Sequence, residues 1–348
     1  MNGGERARFA WERVRRRLAR CIINTYASLG ATKGLRVDII ELLKAALYGL
    51  VEGITEWLPV SSTGHMLLLG QFVTLDVSPD FWDMFLVVIQ LGAILAVCLL
   101  FFEKLNPFSG RKSPEERRGT WALWAKVVVA CIPAAAIGIP LDDWMEEHLG
   151  SPFVIAAALI VYGVAFIVIE NARERKARAR EQRPAGRPRH LVAQVNVGSS
   201  VTERADALAR VRDIEHLDWP TAIGIGIFQV LSLVPGTSRS GSTIIGGLLL
   251  GTSRAVAAEF TFYLAIPVMF GASALRLAKF FLKGNAFALG EWAILGVGSL
   301  VAFVVSLVSI RFLMGFVRRH DFKPFGWYRI ALGIAVIAYF GARMMGLI

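Results

Sequence analysis

The chain alternates between long apolar stretches and short polar segments. A helix needs about 20 apolar residues to cross a bilayer, because each residue adds about 1.5 Å to its length. Six stretches meet this requirement, at about 81–102, 121–140, 152–170, 257–277, 292–314 and 327–348. With 55% hydrophobic and 19% charged residues, the composition excludes an ordinary soluble domain. The pattern therefore predicts an all-α polytopic membrane protein.

Two further apolar stretches are interrupted by proline and by a run of hydroxyl side chains. In the first stretch, a helix at 37–60 meets Pro59, which cannot donate a backbone N–H, and a short helix follows at 64–73. In the second stretch, 221–251, the break falls at Pro235. Each pair of helices is too short to cross the membrane twice. We therefore predict two re-entrant helical hairpins whose broken tips are buried in protein.

Each half of the chain then contains one hairpin followed by three transmembrane helices. Repeat 1 covers about 37–170 and repeat 2 about 219–348, with a loop at 171–218 between them in a single integral membrane domain, 37–348. Because three crossings is an odd number, the second repeat must be inverted relative to the first. The tip sequence PVSSTG corresponds loosely to PGTSRS, each written from its first proline. The two tips would meet near the membrane midplane, which would place Arg239 beside Glu52, Glu56 and His65.

The distribution of charge predicts the orientation. Loops 103–120, 171–218 and 315–326 hold 19 Lys or Arg, whereas loops 74–80, 141–151 and 278–291 hold 2. The first set is therefore cytoplasmic under the positive-inside rule. The net charge of +11 does not indicate nucleic acid, since it lies in loops and tails between apolar spans. Both termini fall outside, a position that leaves the basic N-terminal arm, residues 1–36, unexplained.

The stretch GLVEGITEWLPVSSTGH, residues 49–65, keeps ionisable side chains inside an apolar sequence. Glu52 and Glu56 are four residues apart, so they share one face of a helix. Ionisable residues at membrane depth are costly and usually functional. The alternative places both glutamates on a solvated face and makes Ser61 a helix cap. It fits poorly because the flanking residues are apolar.

The residue types at the two tips favour phosphoryl chemistry. Arg239 offers a planar, permanently charged group that fits phosphate oxygens, and Ser238 and Ser240 add donors. Two carboxylates at one-turn spacing suit a divalent cation such as Mg²⁺, with Ca²⁺ as the other candidate. A serine close to a histidine is an arrangement of nucleophile and base. Together these features predict chemistry on a lipid-borne phosphate.

The blocks EGITEWLPVSSTGH at 52–65 and PGTSRSG at 235–241 resemble the two signature motifs of the undecaprenyl-diphosphate phosphatase family, of the bacitracin-resistance type. The resemblance extends over about 37–348. It implies an enzyme that converts undecaprenyl diphosphate to undecaprenyl phosphate and inorganic phosphate, which recycles the lipid carrier of bacterial cell-wall synthesis. It further implies a multi-pass protein of the bacterial plasma (inner) membrane, with its active site on the outer side and a homodimer as a possible assembly.

The resemblance also implies roles for individual positions. Ser62 and His65 would be the central catalytic residues, and Glu52 and Glu56 would assist catalysis or hold the divalent metal. Arg239 would clamp the diphosphate. The remaining residues lining the substrate site would be Ser61, Thr63, Gln229, Ser238 and Ser240. Our hypothesis is that Ser62 attacks the terminal phosphorus while His65 or Glu56 manages the proton, and direct attack by a metal-activated water stays open.

Other function classes fit less well. A secondary transporter or flippase of a polyprenyl phosphate lipid is the main alternative, because inverted repeats with broken helices are a transporter architecture. A carrier, however, has no need of Ser62 with a base three residues away. Acid-phosphatase-like lipid phosphatases require a second histidine soon after their arginine motif, and none follows Arg239 before His320. A channel is the weakest alternative, since the sequence contains no carbonyl filter or charged ring.

Overall fold

The computed structural model describes residues 38–181 and 200–347. The N-terminal arm, 1–36, lies outside these ranges. Within them the regular structure is helical, apart from one isolated bridge between Val211 and Thr252. The α-helices are α1 Ile39–Thr55, α2 Ser62–Phe72, α3 Pro79–Leu100, α4 Phe102–Leu105, α5 Pro114–Leu149, α6 Pro152–Glu181, α7 Val201–Ala207, α8 Trp219–Val230, α9 Arg239–Leu249, α10 Arg254–Leu282, α11 Leu289–Phe316 and α12 Lys323–Met344. Short 3₁₀ helices lie at Ile214–His216 and Leu231–Leu233.

In the described part of the chain, six helices are long and apolar enough to cross a membrane: α3, α5, α6, α10, α11 and α12. Each of them contains most of one stretch predicted from the sequence. The prediction of an all-α polytopic membrane protein is therefore confirmed.

Three helices have bounds that differ from the prediction. The span expected at 121–140 is part of α5, which begins at Pro114 and ends at Leu149 and so includes residues of both neighbouring predicted loops. The span expected to end at residue 170 continues as α6 to Glu181, so residues 171–181 are helical rather than part of a loop. Arginine, lysine, alanine and glutamate dominate that segment, and all are strong helix formers even outside the membrane. The helix expected at 37–60 ends at Thr55. In a continuous helix the ring of Pro59 would clash with the carbonyl of Thr55, four residues earlier, so the helix ends there.

The two hairpins break in the same way. The first tip, residues 56–61, joins α1 to α2, and the second tip, residues 234–238, joins the 3₁₀ turn after α8 to α9. In each tip the residue before the second helix has positive φ, 73° at Ser61 and 68° at Ser238, and within the described ranges no other non-glycine residue does. The correspondence read from the prolines had paired Ser61 with Thr237. The backbone geometry instead pairs Ser61 with Ser238, one residue later.

Long helices from the two halves of the chain surround the tips. Helix α1 packs on α11, α8 on α5, α3 on α10 and α6 on α12. The α6–α12 contact is close enough that a Cβ at Gly163 would lie 2.6 Å from the carbonyl oxygen of Gly326. A Cβ at Gly326 would lie 2.7 Å from the carbonyl oxygen of Gly163. Small residues permit this backbone-to-backbone approach between membrane helices.

Candidate active site

Arg239 and Glu56 join the two hairpin tips. Arg239 Nη2 donates to Glu56 Oε1 at 2.9 Å, and Arg239 Nη1 donates to the carbonyl oxygen of Thr261 at 2.9 Å. The guanidinium carbon lies 6.0 Å from the centroid of the Trp57 ring. Both charged side chains are nearly buried, at 11% and 9% exposure. The structure therefore brings together the arginine and one carboxylate of the predicted site, and it holds the guanidinium in a single orientation.

The second oxygen of Glu56 is bonded to the predicted nucleophile. Ser62, the first residue of α2, donates from its Oγ to Glu56 Oε2 at 3.0 Å. A carboxylate oxygen at this distance from a hydroxyl is placed to accept its proton. Because Glu56 uses one oxygen for Arg239 and the other for Ser62, one carboxylate connects the predicted nucleophile to the guanidinium group across the two tips.

Both ring nitrogens of His65 are bonded to groups other than Ser62. Its Nδ1 lies 2.7 Å from the carbonyl oxygen of Ser61, and its Nε2 lies 2.7 Å from the hydroxyl of Tyr328. A carbonyl oxygen can only accept, so Nδ1 carries the hydrogen, and Nε2 of the neutral ring accepts from Tyr328. The two rings also stack, with centroids 5.6 Å apart and planes 7° apart. Of the two bases considered from the sequence, the geometry therefore favours Glu56.

Glu52 lies one helical turn before Glu56 and is buried, with 1% exposure. Its Oε1 makes no hydrogen bond within residues 38–181 and 200–347. The same ranges contain no group of three or more His, Cys, Asp or Glu side chains placed to hold a metal ion. A site with two carboxylates still fits Mg²⁺, which takes one or two protein carboxylates and completes its shell with water and phosphate oxygens.

The other polar residues predicted to line the site include two groups. Ser240 donates to the carbonyl oxygen of Glu56 at 3.2 Å, and its Oγ lies 3.0 Å from that of Ser238, which accepts from the backbone of Gly241. Ser240 therefore ties the two hairpins together, and Ser238 contacts Ser240 within the second hairpin. Ser61 and Gln229 are instead buried with polar atoms that lack partners among the described residues. Such atoms mark hydrogen-bonding capacity that a ligand or water can satisfy.

An apolar cavity of about 770 Å³ opens next to the tips. Thr63 of α2 and Pro235 of the second tip lie on its wall. Most of the remaining lining is apolar and comes from α2, α3, α5 and the 73–77 loop, including Met66, Leu67, Leu75, Trp82, Leu86 and Met145. The loop residues on its wall lie at 73–77 and at Gly150, in loops that carry few basic residues, and Arg276 of α10 also lies on the wall. The cavity adjoins the two hairpins through Thr63 and Pro235.

Two residues next to the site were not identified as functional from the sequence. Tyr328 bonds to His65, and Arg329 donates to backbone carbonyls of both tips. Arg329 carried only a weak signal, because an ionisable residue so near the start of the predicted span 327–348 commonly extends to the membrane surface. Tyr328 carried none, since its partner lies 263 residues away in sequence.

Comparison with known proteins gives a uniform result. Residues 45–335 match the family described as bacitracin resistance protein BacA. The chain is 51% identical over 307 residues to an undecaprenyl-diphosphatase of Streptococcus thermophilus, covering 88% of this chain and 96% of that relative. It is 53% identical over 302 residues to an undecaprenyl-diphosphatase of Limosilactobacillus fermentum, covering 87% and 98%. A relative of the same name in Enterococcus faecalis is 48% identical over 299 residues, covering 86% and 97%.

Proposed function

This chain belongs to the bacitracin resistance protein BacA family, and on that premise we propose that it is an undecaprenyl-diphosphate phosphatase. It hydrolyses undecaprenyl diphosphate to undecaprenyl phosphate and inorganic phosphate in the bacterial plasma membrane. The reaction recycles the lipid carrier for peptidoglycan synthesis and confers resistance to bacitracin. The observation that carries the proposal is the linked arrangement of Ser62, Glu56 and Arg239 where the tips meet.

The site and the cavity together suit an amphipathic substrate. The apolar cavity takes the first isoprene units of the lipid, and the diphosphate reaches Arg239 and the hydroxyls of Ser61 and Thr63 at the tips. Arginine matches phosphate oxygens with two parallel donors. A lipid tail and a charged head are thus accommodated in adjoining spaces, which explains why a phosphatase of this kind needs a membrane fold.

In the mechanism that this geometry supports, Glu56 accepts the hydroxyl proton of Ser62 as Ser62 Oγ attacks the terminal phosphorus. The bond from that phosphorus to the bridging oxygen breaks, and undecaprenyl phosphate leaves. Water then attacks the phosphoserine, which releases inorganic phosphate and restores the serine. Arg239 stabilises the charge on the phosphoryl oxygens. His65, bonded to the carbonyl of Ser61, holds the first tip in shape. Direct attack by water at the same phosphorus is the alternative route.

A divalent cation, Mg²⁺ or Ca²⁺, is part of the proposal. Glu52 and Glu56 would hold it, since the unpartnered Oε1 of Glu52 is free to act as a ligand atom. When bound, the cation supplies Lewis-acid stabilisation of the phosphoryl oxygens.

The helix contacts support an inverted repeat. In the predicted repeat, α1 corresponds to α8, α3 to α10, α5 to α11 and α6 to α12. When corresponding helices are exchanged, the α1–α11 contact becomes the α8–α5 contact, and the α3–α10 and α6–α12 contacts are unchanged. The mutual approach of Gly163 and Gly326 fits the same two-fold relation. Under this arrangement the hairpins enter from opposite sides, the basic loops are cytoplasmic and the cavity opens to the outer side. The homodimer stays a prediction without further support.

The test is phosphate release from a polyprenyl diphosphate in detergent by the purified protein. Ser62→Ala and Arg239→Ala should each lose at least about 100-fold in activity. Ser109→Ala, in the loop after α4, serves as the control and should behave as the parent protein. If the intact protein binds the lipid but releases no phosphate with Mg²⁺ or Ca²⁺, the enzyme assignment fails and the transporter alternative takes its place.

A further inference from the structure

Two arginines are fully buried in the part of the chain that the structure describes, Arg254 and Arg329. Arg254, at the start of α10, donates from Nε and Nη2 to the two carboxylate oxygens of Glu170. Arg329 lies in the membrane-spanning helix α12, and no carboxylate in the described ranges forms an ion pair with it. A buried charge without a partner is strongly unfavourable. The surroundings of Arg329 must therefore compensate for it in another way.

Backbone carbonyls from both hairpin tips provide that compensation. Arg329 Nη1 donates to the carbonyl of Pro59 at 3.3 Å, and Nη2 donates to the carbonyls of Gly236 and Thr237 at 2.9 and 2.8 Å. The guanidinium carbon also lies 5.4 Å from the centroid of the Tyr162 ring. Carbonyls at a helix break lack helical partners and need donors from elsewhere. Arg329 satisfies three of them and spans both breaks with one side chain.

The guanidinium group also lies beside the start of α9. A Cβ added at Gly241 would be 2.8 Å from Arg329 Nη1, and Gly241 is two residues after Arg239. The backbone that carries Arg239 and the backbone that precedes Ser62 are thus fixed by the same group. A change in the length or shape of that group must alter how far apart the two tips lie.

We propose that Arg329 is a positioning residue of the active site: it locks the two tips in the register in which Arg239 meets Glu56 and Glu56 meets Ser62. The proposal rests on the phosphatase function above for its catalytic consequence. The two separated donor nitrogens of the guanidinium group are essential to this role, because a lysine ammonium retains the charge but has only one nitrogen.

The experiment compares Arg329→Lys and Arg329→Met with Arg254→Lys as the matched control. Phosphate release is measured with a polyprenyl diphosphate, with kcat and KM determined separately and referred to the folded fraction. A misplacement of about 1 Å is enough to reduce a rate about 100-fold, so kcat should fall at least about tenfold in Arg329→Lys and further in Arg329→Met. KM should stay within about threefold of the parent value, because Arg329 does not contact the substrate. Arg254→Lys should lower the melting temperature and leave kcat unchanged.

Amide hydrogen exchange of the same proteins supplies a readout that does not depend on activity. In the Arg329 variants exchange should rise in the tips, 56–61 and 234–238, and in Arg254→Lys it should rise near 201–207 instead. The positioning role would be overturned if kcat in Arg329→Lys equalled that of the parent protein. It would also be overturned if only KM changed, or if only the melting temperature fell. If the parent protein releases no phosphate, the proposed function fails, and the exchange pattern by itself decides whether Arg329 locks the tips.

Discussion

Ser62 donates its hydroxyl hydrogen to Glu56 at 3.0 Å across the break of the first hairpin, although His65 lies only one turn further along the same helix. The imidazole is already bonded on both sides, to Ser61 and to Tyr328. A serine three residues before a histidine suggested a nucleophile and its base. The geometry favours the carboxylate as the base instead, because Glu56 lies within hydrogen-bond distance of Ser62 at the start of α2.

The first prediction concerns that carboxylate. Glu56→Gln keeps the shape of the side chain but can neither accept the proton of Ser62 nor balance the charge of Arg239. A general base contributes about 10² to 10⁴ in rate, so kcat should fall by that range. Phosphate release at saturating lipid is the measurement, with Glu115→Gln at the exposed start of α5 as the control. Near-parent kcat in Glu56→Gln would return the role of base to His65.

The second prediction concerns Tyr328. Tyr328→Phe keeps the ring stacked on His65 and removes only the hydrogen bond to Nε2. A hydrogen bond of this kind contributes about 1 kcal/mol, so kcat should fall about fivefold, less than in His65→Ala. Tyr339→Phe is the matched control, since the ring of Tyr339 contacts Phe72 and Phe340. A loss in Tyr328→Phe as large as that in Glu56→Gln would show that the hydroxyl takes part in the chemistry itself.

How much the sequence could predict depends on whether a feature is local. The six spans and the break at Pro59 follow from apolar length and from proline geometry, so their positions along the chain were predicted, although α5 is longer at both ends than its predicted span. The extension of α6 to Glu181 was missed because a charged helix outside the membrane lacks an apolar pattern. The meeting of Arg239 and Glu56 was predicted from the two broken helices.

The partners of His65 and the role of Arg329 could not be predicted, because neither depends on local sequence alone. Arg329 stands two residues inside the predicted span 327–348, where a basic side chain normally extends towards the membrane surface. Its burial depends on α12 packing against α6 and on both tips leaving carbonyls without donors. Those conditions come from contacts between elements that are far apart in sequence, so no local pattern shows them.

A third prediction tests how the second hairpin is anchored. Asp218 caps α8 by accepting from the backbone of Thr221 at 2.9 Å, and it is also paired with Arg210. The Arg210 hydrogen bond, more than any other contact, lowers the pKa of Asp218 to about 2. Because the folded-state pKa is depressed, this stabilisation is present above about pH 4, the unfolded value, and is lost as the pH falls towards 2.

Asp218→Ala should therefore destabilise the protein by about 1 kcal/mol near neutral pH, the usual contribution of a helix cap. Asp218→Asn keeps the cap and loses the ion pair with Arg210, which is largely exposed and therefore screened, so it should lose less stability than Asp218→Ala. Thermal unfolding in detergent at pH 7 measures both variants. Equal losses in the two variants would mean that the ion pair with Arg210, rather than the cap, anchors α8.

The last prediction tests the contact between the two halves of the chain. In Gly326→Ala the new Cβ would lie 2.7 Å from the carbonyl oxygen of Gly163, which is backbone and cannot rotate away. Helices α6 and α12 must then separate, and overpacking of this kind destabilises by about 1–3 kcal/mol. Gly341→Ala in the same helix is the matched control, because nothing lies within 4 Å of its Cβ position, and it should be neutral or slightly stabilising. Separation of α12 would also move Tyr328 and Arg329 away from the tips, so kcat should fall in Gly326→Ala alone. Equal melting temperatures in the two variants would show that the close approach of Gly163 and Gly326 contributes nothing to holding the two halves of the chain together.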